Sequence, residues 1–232
     1  MKSALLLALA ALPLVACGGA VDEDVDTSEG ELANPYPSTY LVNFDRDPAG
    51  NPIADGAIID TTYSSYGVTF SGIKCTPGQG CVTGHAYARG SVAPKSPQNV
   101  VTQDASSLPF FDAHYGAVRA DFATARSWVS IDVMPVLTAA DWIDPPTVRP
   151  WFEAYDANNN LIGQVYYPIA FGDPGWGTYQ QLRINAPAGS GIKWVRFSAQ
   201  YTPYNSAEVF GEFDDMRFNT NFVRLCPTKF GC

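Results

Sequence analysis

The chain has 232 residues, of which 46% are hydrophobic and 16% are charged. It can therefore fill a sizeable core, and global disorder is excluded; its length suits one domain, as is common for all-β sandwiches. The formal net charge of -9 opposes binding to a phosphate backbone, so nucleic acid is excluded as a partner.

The N-terminus, residues 1–17, has the pattern of a secretory signal. Lys2 precedes an apolar run from Ala4 to Leu12 that is too short to span a bilayer permanently. The run ends in Leu14-Val15-Ala16-Cys17, which resembles the lipobox of bacterial lipoproteins. The resemblance implies that Cys17 is lipidated with acyl chains such as palmitate and anchors the protein in a membrane. The alternative is an ordinary signal peptide that happens to contain a cysteine.

The residue after the anchor indicates where the protein is sorted. Gly18 stands where an Asp would retain a lipoprotein in the inner membrane, so the resemblance implies the bacterial outer membrane, on its periplasmic or its surface-exposed side. Residues 18–38 are small and acidic, with no basic residue among them, and predict a disordered tether. The acids in this tether are Asp22, Glu23, Asp24, Asp26, Glu29 and Glu31.

Four further cysteines form two sequence-local pairs, Cys75 with Cys81 and Cys226 with Cys232. An even number in an exported chain predicts disulfides, and the sequence allows three connectivities. We favour the local pairs, because each encloses Pro and Gly residues that let the chain turn back. A zinc site is the alternative, although these spacings are wider than zinc sites use.

The region from residue 39 to 222 alternates short Val, Ile, Phe, Tyr and Trp-rich runs with Gly, Pro, Asn or Asp. This pattern predicts an all-β, two-layer antiparallel sandwich with no sustained helix. Within one run, Val129, Ile131 and Val133 are predicted to face the core. The predicted strands are 39–44, 66–73, 82–88, 98–102, 115–124, 126–136, 148–156, 160–168, 178–185, 191–201 and 207–219. Residues 154–163 predict a hairpin whose Asn and Asp residues tolerate a positive φ.

Short motifs bracket this domain. Val42-Asn43-Phe44-Asp45 stands near its start and Phe213-Asp214-Asp215-Met216 near its end. With Gly191 to Phe197, these motifs are similar to those of the secreted jelly-roll sandwiches of bacteria, including carbohydrate-binding modules of the galactose-binding-like type. The resemblance implies a jelly-roll domain over 39–222, followed by a disulfide-closed tail at 223–232.

In such a jelly roll the first and last strands lie near each other, which implies that Asp45 approaches Asp214 or Asp215. Packed carboxylates repel unless a cation bridges them, so we predict a structural calcium ion at these three residues. A β-bulge at Asp214-Asp215 would let Phe213, Met216 and Phe218 all point inward. The alternative is that these carboxylates accept hydrogen bonds from turn amides.

The outward positions of neighbouring strands combine indole rings with charged groups, which suits a sugar ring that stacks and hydrogen-bonds at once. These positions predict a binding surface for a carbohydrate or another cell-surface ligand. Its candidate residues are Arg119, Trp128, Trp151 and Glu153, together with Trp176 in a Gly- and Pro-rich loop. The alternatives are that the rings pack under loops, that Trp176 folds back onto the sheet, and that the charges pair across strands.

Enzyme motifs are absent from the sequence, with neither Gly-x-Ser-x-Gly nor His-Glu-x-x-His, and neither His85 nor His114 has a partner nearby in the chain. We therefore predict no catalytic residues and a binding protein rather than an enzyme. The alternatives are a structural or adhesive envelope protein without a small ligand, and a glycan-active hydrolase, which would need two suitably spaced carboxylates.

Overall fold

A computed structural model describes residues 39–76, 80–91, 94–103, 116–137, 150–170, 172–199 and 209–219. All of them fall within one structural unit, Tyr36–Cys232. The predictions for Cys17, the 18–38 tether, His114, Cys226, Cys232 and the 223–232 tail lie outside the described residues. None of the described residues belongs to an apolar helix of membrane-spanning length.

The described part of the chain is built from strands, with one short 3-10 helix at Ser64–Tyr66. The strands are β1 (Thr39–Val42), β2 (Val68–Thr76), β3 (Gly80–Gly84), β4 (Tyr87–Gly90), β5 (Asn99–Thr102), β6 (Gly116–Arg126), β7 (Trp128–Leu137), β8 (Pro150–Tyr155), β9 (Leu161–Tyr166), β10 (Gln180–Asn185), β11 (Ile192–Ala199) and β12 (Val209–Asn219).

The strands form two antiparallel sheets packed as a sandwich, which confirms the predicted fold class. The first sheet runs β10-β7-β12-β5-β4, with β1 also paired to β12, and the second runs β3-β2-β6-β11-β8-β9. The first and last strands pair directly, with Tyr40 opposite Phe218 and Val42 opposite Met216. The first and last strands therefore lie next to each other, as the sequence motifs implied.

The core lies between the sheets and takes one residue in two from most strands, as period-two alternation requires. Val129, Ile131 and Val133 of β7 are fully buried, as predicted. They meet inward residues of the second sheet, among them Phe152 and Phe197, which are also fully buried. The opposite positions of each strand therefore form the outer faces of the sandwich.

One predicted strand, 82–88, is wrong as a single element. Its first part belongs to β3 in the second sheet, and its last part belongs to β4 in the first sheet. The chain changes sheets at His85 and Ala86, where Ala86 is fully buried and His85 is exposed. Alternation continues through such a crossing, so the residue pattern alone does not reveal it.

The predicted bulge in the last strand is confirmed. The register between β12 and β7 shifts between Asp214 and Arg217, and Asp215 has a φ of 46°. Phe213, Met216 and Phe218 are all buried in the core as a result. The extra residue restores the inward parity after two consecutive acids.

Candidate functional site

The outer face of the second sheet brings together three of the predicted ligand-binding residues. Arg119 lies on β6, and Trp151 and Glu153 lie on β8. The register joins them through β11, where Arg196 is directly opposite both Arg119 and Glu153. Directly opposed residues point to the same side of a sheet. We call this surface, centred on β6, β11, β8 and β9, the outer face of the second sheet.

An aromatic stack occupies one end of this face. The rings of Tyr155 and Trp194 are parallel within 6° at a centroid distance of 3.8 Å, and the Arg119 guanidinium lies 4.1 Å from the Trp194 ring. The indole N–H of Trp194 donates to Asn159 Oδ1 at 2.9 Å. Asp121 holds Arg119 through two hydrogen bonds of 2.8 and 2.6 Å. The orientation of each group is therefore fixed by a neighbour.

Glu153 is the centre of the polar part of the face and is buried although it lies on an outer surface. Its carboxylate accepts hydrogen bonds from Arg196 Nε at 2.5 Å, the Tyr155 hydroxyl at 2.6 Å and Gln164 Nε2 at 2.6 Å. Burial and the bond to Glu153 raise the pKa of Tyr155, so this hydroxyl stays a donor at neutral pH. The cross-strand charge pairing that the sequence left open does form here.

The other end of the face carries Trp151 opposite Tyr166 on the edge strand β9. Tyr166 is one of the exposed large hydrophobic residues, at 45% of its maximum area. Trp151 is half-buried, and the Arg196 guanidinium lies 5.4 Å from its ring centroid. An aromatic residue therefore stands on each side of the polar row of Arg196, Glu153 and Gln164.

The two remaining predicted ligand-binding residues lie elsewhere. Trp128 is on β7, in the first sheet, where the Arg183 guanidinium lies 4.2 Å from its ring. Trp176 folds back from its loop and meets Tyr167 edge to face at 5.5 Å. Trp128 fails to join the other candidates because β7 and β8, although consecutive, belong to different sheets.

The three acids predicted to bind calcium lie around the junction of the first and last strands. Asp45 follows β1, and its Oδ1 accepts from the N–H groups of Gln98 at 3.0 Å and Asn99 at 2.8 Å. Asp214 Oδ2 accepts from Ser96, at 2.8 Å from its N–H and at 2.9 Å from its hydroxyl. Both acids therefore hold the chain segment that precedes β5.

The neighbouring acids form a buried charge network on the outer face of the first sheet. Asp132 lies opposite Asp214 in the β7–β12 ladder and is 1% exposed. Its Oδ2 accepts from Lys95 Nζ and from Arg217 Nη1, the latter at 2.8 Å. Arg217 Nη2 also donates to Asp215 Oδ2 at 2.9 Å. Asp215 is therefore paired with a guanidinium group.

Burial raises the pKa of the Asp214 carboxyl from 3.8 to about 6, although hydrogen bonds from Ser96 and from the Asp215 N–H act in the opposite direction. Desolvation disfavours the charged form, and no cationic side chain contacts this carboxyl among the described residues. Asp214 therefore takes up a proton in mildly acidic solution.

As a set, Asp45, Asp214 and Asp215 do not fit a calcium ion in this arrangement. Each carboxylate already accepts hydrogen bonds from protein donors, and Asp215 is paired with Arg217. Over the described part of the chain, no three acidic, His or Cys residues are grouped closely enough to hold a metal ion. One oxygen, Asp45 Oδ2, is buried without a hydrogen-bond partner. Calcium binding stays a prediction of the sequence.

The first cysteine pair lies across the β2–β3 hairpin. The backbone positions of Cys75 and Cys81 are directly opposite in the ladder, and Cys81 is disulfide-bonded. This register suits the local pairing. The second local pair stays a prediction.

Sequence reasoning missed half of the outer face. Trp194 and Arg196 alternate with the buried residues Val195 and Phe197 in one short motif. That parity was a usable signal for an outward Trp and Arg.

His85 also has a partner that its sequence neighbourhood does not reveal. Its Nδ1 lies 2.5 Å from Asp60 Oδ2, and Asp60 Oδ1 accepts from the Ala86 N–H at 2.8 Å. The two residues are 25 positions apart. Contacts at that separation depend on the fold and have no local signature.

Comparison with known proteins gives similarity at the level of fold. No family model matches the chain, and no curated protein matches it. Among solved structures, the cleaved adhesin domain of Lys-gingipain from Porphyromonas gingivalis is 16% identical with a TM-score of 0.41; the match covers 80% of this chain and 99% of that one.

Two further structures are similar to a lesser degree. An isomalto-dextranase from Arthrobacter globiformis, solved with panose, is 12% identical with a TM-score of 0.34, over 78% of this chain and 32% of that one. A fragment assigned as a chitobiase, from Bacteroides thetaiotaomicron, is 12% identical with a TM-score of 0.27, over 59% of this chain and 70% of that one. Because the TM-scores of these three structures are all below 0.5, we infer function from the side chains of this protein alone.

Proposed function

We propose that the protein binds a carbohydrate through the outer face of the second sheet. The observation that carries the proposal is the fixed row of Arg196, Glu153 and Gln164 with aromatic side chains on both sides. Sugar rings offer hydroxyl groups that hydrogen-bond to such a row and C–H surfaces that pack on aromatic rings.

The preorganisation of this row supports binding. Glu153 is held by three donors from three different residues, so little side-chain entropy is lost when a ligand docks. The exposed Tyr166 and the half-buried Trp151 supply apolar area beside it. Both faces of the Trp194 ring are already engaged by Tyr155 and Arg119, so stacking of a sugar falls to the other end of the face.

The same face supports binding rather than hydrolysis. A glycosidase needs one carboxyl group that donates a proton to the leaving oxygen. Asp121 and Glu153 each accept hydrogen bonds from an Arg side chain. Neither carboxylate is therefore placed to act as that acid.

A glycan array tests the proposal with matched variants. We expect the wild-type protein to bind a subset of glycans and Trp151→Ala to lose at least about tenfold in affinity. Trp128→Ala is the matched control, because it removes an Arg-stacked indole from the other sheet. Equal loss in both variants, or no glycan bound by the wild type, would exclude this face as the binding site.

We further propose that Cys17 carries the lipid that anchors the protein in the bacterial outer membrane. The lipobox-like Leu14-Val15-Ala16-Cys17 and the following Gly18 support this proposal. Metabolic labelling with palmitate should label the wild-type protein and not Cys17→Ser, whereas Cys226→Ser should be labelled as the wild type is. Label retained in Cys17→Ser would contradict the proposal. Fractionation of the labelled membranes should recover the protein with the outer membrane.

A further inference from the structure

We propose that the ligand of the outer face of the second sheet is an uncharged oligosaccharide that lies along β8 and β11. This inference rests on the proposed carbohydrate binding and narrows it to a class of glycan. It follows from the charge balance of the face and from the spacing of its side chains.

The charges of the face cancel in pairs. Arg119 is bound by Asp121, and Arg196 is bound by Glu153. Each guanidinium group therefore has a carboxylate beside it, which offsets its positive charge and repels the carboxylate or sulfate of an acidic sugar. A hydroxyl group accepts from a guanidinium and donates to a carboxylate at the same time, so it meets no such repulsion.

The net charge of the whole molecule also disfavours acidic glycans. Its formal net charge is -9, so sulfated or uronate-bearing glycans approach against a repulsive field. An uncharged glycan does not experience that repulsion. Both the local pairing and the long-range field therefore favour a neutral ligand.

The spacing of the paired side chains on β8 and β11 sets the length of a ligand that covers the face. Along β8 and β11, Trp194 is opposite Tyr155, Arg196 is opposite Glu153, and Ser198 is opposite Trp151. Successive pairs on one face are two residues apart, about 6.6 Å, so the two aromatic ends are separated by about 13 Å.

A single pyranose ring cannot reach from one aromatic end to the other. A chain of several sugars can stack at the Trp151–Tyr166 end and extend across the polar row to the edges of the Tyr155–Trp194 stack at the other end. Affinity should therefore rise with chain length until the face is covered.

The experiment compares two glycan series of matched length by calorimetry on the intact protein. One series is neutral and runs from a monosaccharide to a hexasaccharide, and the other carries uronate or sulfate groups. We expect affinity for the neutral series to rise at least about tenfold with length and to change little between about 0.05 and 0.5 M salt. Tyr166→Ala should remove most of the gain with length, and Trp128→Ala should keep it.

A charge variant tests the other half of the inference. Asp121→Asn leaves Arg119 without its carboxylate partner, so this variant should gain affinity for the sulfated series while it still binds the neutral one. Wild-type binding confined to charged glycans, or monosaccharides bound as tightly as hexasaccharides, would overturn the inference and leave carbohydrate binding standing. Absence of binding to either series would remove the proposed function itself.

Discussion

Asp45 and Asp214 hold the two ends of one short segment, residues 96–99. Asp45 Oδ1 accepts from the Asn99 N–H at 2.8 Å, and Asp214 Oδ2 accepts from the Ser96 N–H, also at 2.8 Å. Asp45 lies three residues after Val42, the last paired residue of β1, and Asp214 lies in β12, the strand that β1 pairs with. The first and last strands therefore jointly fix the chain where it enters β5.

Removing the Asp45 carboxylate should weaken the fold at this junction. Asp45→Ala leaves the N–H groups of Gln98 and Asn99 without their acceptor, and Asn99 is buried. We expect the free energy of unfolding to fall by roughly 1–3 kcal/mol for a buried donor that loses its partner. Urea denaturation measures the change. Asp47→Ala is the control, because Asp47 accepts from Ala49 and Asn51 in an exposed loop where water replaces it; an equal loss there would refute the role of burial.

The raised pKa of Asp214 predicts a pH dependence with a definite sign. Its folded-state pKa of about 6 exceeds the ordinary 3.8, so between about pH 4 and pH 6 the folded state keeps a proton that the unfolded state has lost. The proton on Asp214 therefore contributes its full stabilisation below that window. This contribution is lost as the pH rises through the window, and the free energy of unfolding falls by up to about 3 kcal/mol.

Asp214→Asn separates this contribution from those of the other acids. The amide has no proton to lose, so the variant should lack the fall in stability across this window. The effects of Asp47 and Asp156, whose pKa values are lowered by hydrogen bonds in their loops, are present in both proteins and cancel in the difference. Urea midpoints measured across the window give the comparison. Parallel curves for the two proteins would show that Asp214 titrates normally.

The sandwich could be predicted from the sequence because the signal is local and repeated. Val129, Ile131 and Val133 alternate with outward residues, and the parity break at Asp214-Asp215 revealed the bulge. Strand partners are not local: Trp128 and Trp151 each stand near the start of a predicted strand but lie in different sheets. The pairing of Glu153 with Arg196, 43 positions away, depends on which strands meet, so the sequence could offer candidates for the site without assembling it.

Chelation tests the predicted calcium ion directly. The donors already bound to Asp45, Asp214 and Asp215 lead us to expect the same thermal midpoint in excess calcium and in EDTA. A bound ion at about 100 times its dissociation constant would add about 2.7 kcal/mol to the free energy of unfolding. A midpoint several degrees higher in calcium would therefore establish the site, and Asp45→Asn should then abolish the shift.

Two loops share one hydrogen-bond pattern and one backbone conformation, so equivalent substitutions in them should lower the stability in the same way. In residues 47–51 and 156–160 an Asp side chain accepts from two backbone N–H groups and from the amide of the Asn four residues later. The fourth position has a left-handed φ in each loop, 89° at Gly50 and 64° at Asn159.

Gly50→Ala and Asn159→Ala should each lower the free energy of unfolding by roughly 1–2 kcal/mol, because a β-carbon is strained at that φ. A steric clash does not contribute to this loss at Gly50, because no neighbouring atom lies within 4 Å of the added β-carbon. Asn159→Gly keeps the φ and removes only the acceptor of the Trp194 N–H. Its free energy of unfolding should therefore be close to that of the wild type. If it is instead as unstable as Asn159→Ala in urea denaturation, the stability of this loop comes from the bond to Trp194 and not from the backbone.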